Sequence, residues 1–237
     1  MDLIAVASEL ASAVGRLSFG PPAAFVYNPL EYAWQPHRTY LERYGQAPKE
    51  ILLVGINPGP WGMVQTGVPF GDVVMVRDWL GILAQVGRPA REHPSRPVLG
   101  FACRRREVSG MRLWGWAKQT YGTPQRFFAR FFVLNYCPLA FFTEAGDNLT
   151  PDRLPAGDRR PLLSACDVAL RRAVEYLNPK YVFGVGGFAA RRVGEALSGM
   201  DIVSGTIPHP SPLNPAANRG WAQALEKVLA EAGIRLP

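Results

Sequence analysis

Two loops rich in proline and glycine carry side chains that could bind and cleave a small polar molecule. In residues 55–71, Asn57 precedes Pro58, which favours an extended backbone and fixes the direction of the amide. In residues 207–221, His209 lies between two prolines, so its imidazole is held in place. An amide offers a hydrogen-bond donor and an acceptor, and histidine changes its protonation state near neutral pH. The two loops therefore indicate a site that combines polar recognition with hydrogen-bond or acid–base catalysis.

A purely structural role is the simpler interpretation of each residue. A short Asn-Pro-Gly segment is more often a turn than a ligand site, but this loop has five glycines and three prolines within 17 residues. A lone histidine is usually structural, whereas one fixed between prolines at a strand end is more often functional. His37 and His93 lack such a setting, so we expect both to be structural.

Four short apolar segments predict buried parallel strands, at 51–56, 131–134, 181–185 and 202–207. Helical periodicity and start signals predict helices at 2–17, 36–44, 73–86, 161–177, 187–198 and 215–232. Strands that alternate with helices indicate an α/β fold, a three-layer α/β/α sandwich with a central, mostly parallel four-stranded sheet. No linker rich in glycine and serine divides the chain, so we expect a single domain over residues 1–237.

Three polar side chains lie directly after predicted strands. Asn57, Asn135 and His209 follow the first, second and fourth strands along the chain. Because ligands of open parallel sheets bind outside the carboxyl ends of the strands, we expect these side chains to meet at one edge. A site for a small planar polar ligand requires such converging groups.

The two loops together resemble those of the single-strand-selective monofunctional uracil-DNA glycosylases, within the uracil-DNA glycosylase superfamily. Residues 55–59 alone are similar to mismatch-specific uracil glycosylases, and the extension through Gly71 together with residues 207–221 is specific to the narrower family. Supporting similarities lie at 28–34, 93–100, 107–115 and 135–139, so the resemblance covers residues 25–230. Ile56 and Leu213 depart from the family pattern, in which methionine and arginine are common at these places.

The resemblance implies an enzyme of base-excision repair that flips uracil out of DNA and hydrolyses its N-glycosidic bond. It implies that Phe70 stacks on the base and that Asn135 pairs with the N3 and O4 edge. The catalytic residues would be Asn57, which positions the attacking water, and His209, which donates a hydrogen bond to O2 of the leaving base. Because an amide is not basic, the reaction would pass through a dissociative, oxocarbenium-like transition state.

The resemblance also implies which residues line the pocket and contact DNA. Ile56, Gly59 and Met63 would line the pocket, and the small Gly59 would leave room for a C5 substituent, as in 5-hydroxymethyluracil. Leu213 would act as an apolar plug that holds open the gap left by the flipped base. The implied DNA-binding residues are Ser211, Pro212, Leu213, Asn214 and Arg219.

The composition is compatible with a nucleic-acid partner. The formal net charge is +7 and the isoelectric point is about 9.6, and arginine supplies most of the positive charge. The planar guanidinium suits bidentate contacts with phosphate, although a GC-rich genome that favours arginine codons explains the same bias equally well. The charge alone does not identify the partner, and it is the resemblance that implies uracil-containing DNA, single- and double-stranded. We expect the protein to be a monomer.

Cysteine usage and hydropathy predict an intracellular protein without a cofactor. Cys103, Cys137 and Cys166 form neither a disulfide framework nor a CxxC pair, and an iron–sulfur cluster normally requires four thiolates. We expect no metal and no other cofactor. The first residues lack a basic segment, and no uncharged apolar run reaches membrane-spanning length. We expect a soluble protein, in the cytoplasm or nucleoid of a prokaryote or in the nucleus of a eukaryote.

A lyase step requires an amine that forms a Schiff base with the sugar, and the lysines are poorly placed for it. Lys49 and Lys180 precede strands, at the edge opposite the predicted site, and Lys118 and Lys227 fall in helical stretches outside both loops. The sequence therefore favours simple hydrolysis. Two alternatives remain open, a mismatch-specific uracil or thymine glycosylase and a non-catalytic module that binds single-stranded DNA.

Two weaker signals have structural explanations. Residues 184–190 faintly resemble a dinucleotide-binding turn, but no acidic residue follows at the required distance, so a tight strand-to-helix turn is favoured. Residues 104–106 are three consecutive arginines, for which a solvated loop is slightly favoured over a DNA contact.

Overall fold

Helices and strands alternate along the chain in the computed structural model, which describes residues 2–237. The strands are β1 (Phe25–Tyr27), β2 (Ile51–Gly55), β3 (Phe131–Asn135), β4 (Ala140–Phe142), β5 (Asn148–Leu149), β6 (Tyr181–Val185) and β7 (Val203–Ile207). The α-helices are α1 (Leu3–Gly15), α2 (Pro29–Tyr32), α3 (Trp34–Tyr44), α4 (Met63–Thr66), α5 (Val73–Asp78), α6 (Val108–Tyr121), α7 (Pro124–Phe128), α8 (Ala156–Leu177), α9 (Gly187–Ala196), α10 (Pro215–Asn218) and α11 (Trp221–Glu231).

The main sheet is parallel, with strand order β3-β2-β6-β7. Successive side chains of a strand point to opposite faces, and every residue of β2 and β6 is buried, so both faces of the sheet are covered. Helix α9 packs on β6 and β7, α8 packs on α1 and α9, and α11 packs on α6 and β7. The predicted α/β fold around a parallel four-stranded sheet is confirmed. The register pairs Gly55 with Asn135, so two predicted site segments leave the sheet side by side.

A second, antiparallel sheet of order β1-β4-β5 was not predicted. Its strands have only two or three residues, which is too short to show a period-two pattern. Tyr27 and Phe142 pack edge to face within it, with ring centroids 5.0 Å apart. This small sheet lies beside the end of β2 and contributes to the site described below.

Two predicted helices are shorter or interrupted in the structure. The helix predicted at 73–86 ends at Asp78, because Gly81 has a positive φ of 65° that a helix does not accommodate. The helix predicted at 215–232 is divided into α10 and α11 at Gly220, whose φ is 127°. Both helices were predicted too long, because each helical pattern is broken at a glycine, Gly81 in the first and Gly220 in the second.

Other boundaries differ by smaller amounts. The helix predicted at 161–177 begins at Ala156, so that Pro161 lies inside it, and helices α6 and α7 were not predicted at all. The remaining predicted helices and strands shift by one to two residues at their ends, a range in which terminal assignments commonly vary. Within residues 2–237, no helix is long and apolar enough to cross a membrane.

Candidate active site

A cleft of about 480 Å³ opens at the carboxyl ends of the main strands, a size suited to a nucleobase. It is lined by ten of the twelve residues that the sequence singled out: Ile56, Asn57, Gly59, Met63, Phe70, Asn135, His209, Ser211, Pro212 and Leu213. Asn214 and Arg219 lie outside its lining. The expected convergence of polar groups from distant strands is therefore present. The amides of Asn57 and Asn135 and the imidazole of His209 line the same cleft.

The side chain of Asn57 is oriented by the small antiparallel sheet. Its Nδ2 donates to the backbone carbonyls of Leu139 and Leu149, at 3.2 and 3.3 Å. A side-chain amide has two N–H donors, so both are used by these carbonyls. The remaining atom, Oδ1, is left as a hydrogen-bond acceptor, which is the polarity required to hold a water molecule by its proton.

The backbone fixes the tautomer of His209. The N–H of Ser211 donates to Nδ1 of the imidazole at 3.1 Å, so Nδ1 must carry a lone pair. In the neutral ring the proton is then on Nε2, which makes Nε2 a hydrogen-bond donor. Burial lowers the pKa of His209 below its usual value, since the charged ring is poorly solvated there. His209 is therefore a neutral donor at neutral pH.

Phe70 has an unusual backbone that three contacts hold in place. Its φ is 53°, in the left-handed region that a bulky residue rarely occupies. Its carbonyl accepts hydrogen bonds from Nε1 of Trp114 at 3.0 Å and from the N–H of Asp72 at 2.8 Å. Gly110 of α6 lies against the same carbonyl, where a Cβ would collide with it. The ring centroid lies 6.3 Å from that of His209, so the aromatic wall faces the donor.

Gly55, the last residue of β2, leaves the space in which the Phe70 ring lies. A Cβ at this position would be 2.7 Å from Cε2 and 2.8 Å from Cζ of Phe70 and would also collide with Oδ1 of Asn135. Asn135 donates from Nδ2 to the sulfur of Met63 at 3.2 Å. Because a thioether is a weak acceptor, this contact is readily exchanged for a polar ligand.

We expect Gly55→Ala to lower kcat/KM for removal of a flipped base at least about tenfold, because displacing Phe70 and Asn135 by about 1 Å misplaces the base. Gly115→Ala is the matched control, since a Cβ on Gly115 of α6 meets nothing within 4 Å. Steady-state kinetics and circular dichroism of both variants provide the measurement. Equal activity of the two variants would contradict the role of Gly55.

Sequence reasoning missed Glu107, whose carboxyl forms part of the cleft wall. A Cβ on Gly59 would lie 2.5 Å from its Oε2, and one on Gly62 would lie 2.9 Å from its Cγ. Burial raises the pKa of Glu107, and hydrogen bonds from the backbone N–H groups of Ser109 and Trp61 offset part of that effect. The signal was the similarity at residues 107–115, which marked the segment without assigning a role to its first residue.

Arginines 104–106 lie exposed in a loop, as the favoured interpretation predicted, and two of them also contact other side chains. Arg106 forms a fork on the fully buried carboxylate of Asp72, with Nε 2.8 Å from Oδ2 and Nη2 3.0 Å from Oδ1. The same carboxylate accepts the N–H of Glu107 at 3.0 Å. The guanidinium carbon of Arg105 lies 4.3 Å from the ring centroid of Trp61, and Arg104 is exposed. Asp72 thus holds the Arg106–Glu107 segment at the cleft.

The loop that carries Leu213 is exposed at its tip and fixed at its base. Leu213 is 91% exposed, which is exceptional for a large apolar side chain in this structure. Arg112 of α6 donates to the carbonyl of Pro210 at 2.9 Å and to Oδ1 of Asn218 at 2.8 Å. Nε1 of Trp221 donates to the carbonyl of Pro208 at 2.7 Å. The loop therefore presents an apolar tip from a rigid base.

The two predicted residues outside the cleft lining have different settings. Asn214 caps α10 by accepting the N–H of Ala216 at 3.1 Å, and its Nδ2 donates to the carbonyl of His209 at 2.9 Å. Arg219 is exposed at the end of α10, two residues before α11 begins.

The remaining histidines and the glycine-rich turn have structural settings, in agreement with expectation. Nδ1 of His37 lies 2.8 Å from the carbonyl of Gly67, and burial lowers the pKa of His37 to about 4. Nε2 of His93 lies 3.0 Å from the carbonyl of Glu144. Gly186, with a φ of 93°, forms the tight turn between β6 and α9 and packs beside His209.

Known proteins resemble this chain across most of its length. The family model described as Uracil DNA glycosylase superfamily matches residues 42–232. The single-strand selective monofunctional uracil-DNA glycosylase of Rattus norvegicus is 50% identical over 228 residues, which cover 95% of this chain and 82% of the relative. The enzyme of the same description from Bos taurus is 48% identical over 221 residues, which cover 92% and 81%. The crystal structure of wild-type Pedobacter heparinus SMUG2 aligns with a TM-score of 0.64 and 17% identity, over 96% of this chain and 97% of that one, which supports the fold.

These matches define the class of protein to which the fold and the cleft correspond. The chain belongs to the uracil-DNA glycosylase superfamily and, within it, to the single-strand-selective monofunctional uracil-DNA glycosylases. The resemblance inferred from the two loops is thereby confirmed.

Proposed function

We propose that this protein is a hydrolase of base-excision repair that removes uracil from DNA and leaves an abasic site. The observation that carries the proposal is the cleft in which Asn57, Asn135, His209 and Phe70 converge. Family membership supports the same reaction. One domain spanning the chain would act as a monomer, inside the cell where DNA is found.

Recognition of the base requires a stacking wall and a polar reader. Phe70 supplies the wall, and the amide of Asn135 supplies one donor and one acceptor for the N3 and O4 edge of uracil. Cytosine has the opposite donor and acceptor pattern on this edge, so the same amide orientation leaves buried polar groups unpaired. Discrimination of this kind reaches about 10⁴-fold.

Cleavage breaks the bond between C1′ of the sugar and N1 of uracil, and the electron pair leaves with the base. Nε2–H of His209 donates a hydrogen bond to O2 as negative charge develops there, and the neutral tautomer described above supports this role. Oδ1 of Asn57 accepts a hydrogen bond from the water whose oxygen attacks C1′, and the two carbonyl contacts of its Nδ2 support that role. The water that has bonded to C1′ releases one proton to solvent, and the departing uracil anion takes up one proton from solvent.

Hydrolysis without strand cleavage is supported by the position of the lysines. Within residues 2–237 the cleft lining contains no lysine. Lys49 is buried with Nζ near the carbonyl of Phe128, and Lys180 stacks on Tyr181, both at the amino ends of the strands. Among the described residues, no lysine amine therefore lies in the cleft lining, where a Schiff base with the sugar would form.

The substrate range extends beyond uracil. In the uracil ring, C5 is the atom next to C4, whose O4 is read by Asn135. Because Met63 contacts the amide of Asn135, C5 faces the part of the cleft wall that contains Met63 and Gly59. The room left by Gly59 is taken by the carboxyl of Glu107, whose Oε2 would lie 2.5 Å from a Cβ there. We include 5-hydroxymethyluracil and other deaminated or oxidised bases in the proposal because the family resemblance implies them. Single- and double-stranded DNA are both substrates.

The exposed tip of the loop at residues 207–221 leads to a prediction about strandedness. We expect Leu213→Ala to lower the rate of excision from duplex DNA about tenfold, because the gap left in the base stack is no longer filled by an apolar plug. Excision from a single strand, which has little stack to hold open, is expected to change less than about twofold. Single-turnover rates on matched oligonucleotides provide the test, and an equal loss on both substrates would contradict the plug.

The proposed function is tested with uracil-containing oligonucleotides, single-stranded and paired with guanine or adenine. The protein is expected to produce alkali-labile sites on all of them and no strand break without alkali. An absence of abasic product would refute the glycosylase, and breaks without alkali would refute the monofunctional assignment. Activity restricted to mismatched duplex would favour a mismatch-specific glycosylase, and binding without product would favour a non-catalytic DNA-binding module.

A further inference from the structure

Trp61 lines a part of the cleft that the reaction does not use, and two arginines pack against its ring. Trp61 lines the same cleft as Leu213 and is only partly buried. The guanidinium carbon of Arg105 lies 4.3 Å from its ring centroid, and that of Arg96 lies 5.5 Å away. We name Trp61, Arg96 and Arg105 the Arg–Trp shelf.

The shelf carries positive charge that no carboxylate of the described residues neutralises. Neither Arg96 nor Arg105 takes part in an ion pair within residues 2–237, and Nε of Arg96 donates instead to the backbone carbonyl of Gly146 at 2.7 Å. Arg106, the next residue along from Arg105, is neutralised by Asp72. The acidic residue of the cleft lining is Glu107, whose carboxyl accepts hydrogen bonds from the backbone N–H groups of Ser109 and Trp61 and forms no ion pair with either arginine.

The stacking geometry prepares Arg105 to bind an anion. A guanidinium that lies over an indole has its plane fixed, while its N–H groups remain free at the edge of that plane. Two such N–H groups match two oxygens of a phosphate, and pre-ordering of the side chain reduces the entropy lost on binding. The exposed side chain of Arg105 reaches solvent at the rim of the cleft.

We propose that the Arg–Trp shelf binds a backbone phosphate of the strand that carries the target base, beside the cleft that Trp61 and Leu213 both line. The inference rests on the proposed function, because a DNA strand must enter this cleft. The strand then contacts both the cationic shelf and the apolar tip at Leu213. Because the contact involves only the damaged strand, it acts on single-stranded DNA as well as on a duplex.

The experiment measures binding of the intact protein to a single-stranded oligonucleotide with a non-hydrolysable uridine analogue, over a range of salt concentrations. Each phosphate contact on a single strand contributes about 0.7 to the slope of log K against log salt. Arg105→Ala is expected to reduce the slope by about this amount, and kinetics on the uracil oligonucleotide are expected to show the loss in KM and not in kcat. Trp61→Phe retains a ring under the guanidinium and is expected to preserve most of the slope.

Arg126→Ala is the matched control, because the exposed Arg126 lies on α7, which leads into the amino end of β3, away from the cleft at the carboxyl ends of the strands. It removes the same charge and is expected to leave the slope unchanged. An unchanged slope in Arg105→Ala, or an equal reduction in Arg126→Ala, would overturn the shelf. An effect of Arg105→Ala that is confined to inhibition by inorganic phosphate, with the DNA slope unchanged, would overturn it as well, since that indicates a small-anion site. A wild-type protein that excises no uracil would instead refute the proposed function.

Discussion

Replacement of His209 by alanine is expected to lower kcat for uracil excision about 10²- to 10³-fold, the usual effect of removing one preorganised donor to a developing oxyanion. The donor is Nε2–H, whose identity follows from the Ser211 N–H that occupies Nδ1. Single-turnover rates at saturating enzyme isolate the chemical step. His209→Gln, which retains an N–H donor, is expected to recover part of the rate, and equal rates for the two variants would argue against hydrogen-bond donation.

The pH dependence follows from the same residue. The pKa of His209 is lowered by burial, so the ring is already neutral above its usual titration range and remains neutral as the pH rises further. A neutral donor predicts that kcat does not fall between about pH 7 and 9 through loss of a proton from His209. A tenfold fall per pH unit in that interval, absent from His209→Gln, would indicate a cationic general acid instead.

Replacement of Asn57 by alanine is the second large effect, with an expected loss of about 10²-fold in kcat, because the attacking water is no longer held at C1′. Affinity for DNA is expected to remain, since the base is read by other side chains. A gel-based single-turnover assay and a binding isotherm separate the two quantities. Retention of the wild-type rate would remove Asn57 from the mechanism.

Asn57→Asp is a sharper version of the same experiment. A carboxylate cannot donate to the carbonyls of Leu139 and Leu149, which now lie 3.2 and 3.3 Å from Nδ2, and would be repelled by both. We therefore expect the aspartate variant to lose activity although it resembles a general base. Activity at or above wild type would show that basicity at this position, and not orientation of the oxygen, limits the rate.

The arrangement of the cleft could be predicted where apolar segments stop abruptly at polar residues. Residues 51–56 and 131–134 are continuous apolar runs, and parallel pairing of these strands brings their carboxyl ends together without further information. Asn57 and Asn135 could therefore be placed at one edge from the sequence. The orientation of their amides could not, because it depends on contacts with segments distant in sequence.

Other parts of the site depend on features with little local signal. The positive φ of Phe70 is maintained by Trp114 and Gly110 of α6, a helix that the sequence did not predict because its apolar residues are interrupted by glycines. Glu107 enters the cleft wall only because Asp72, 35 residues earlier, accepts its N–H. Tertiary contacts of this kind leave no periodic pattern in the chain.

Both proposed catalytic side chains are oriented by main-chain atoms. Asn57 is held by the carbonyls at positions 139 and 149, and His209 is held by the N–H at position 211. Every amino acid supplies a carbonyl, and every one except proline supplies an N–H. The side chains at these three positions can therefore change during evolution or engineering without altering the catalytic geometry, provided that the path of the backbone is kept and proline does not replace Ser211.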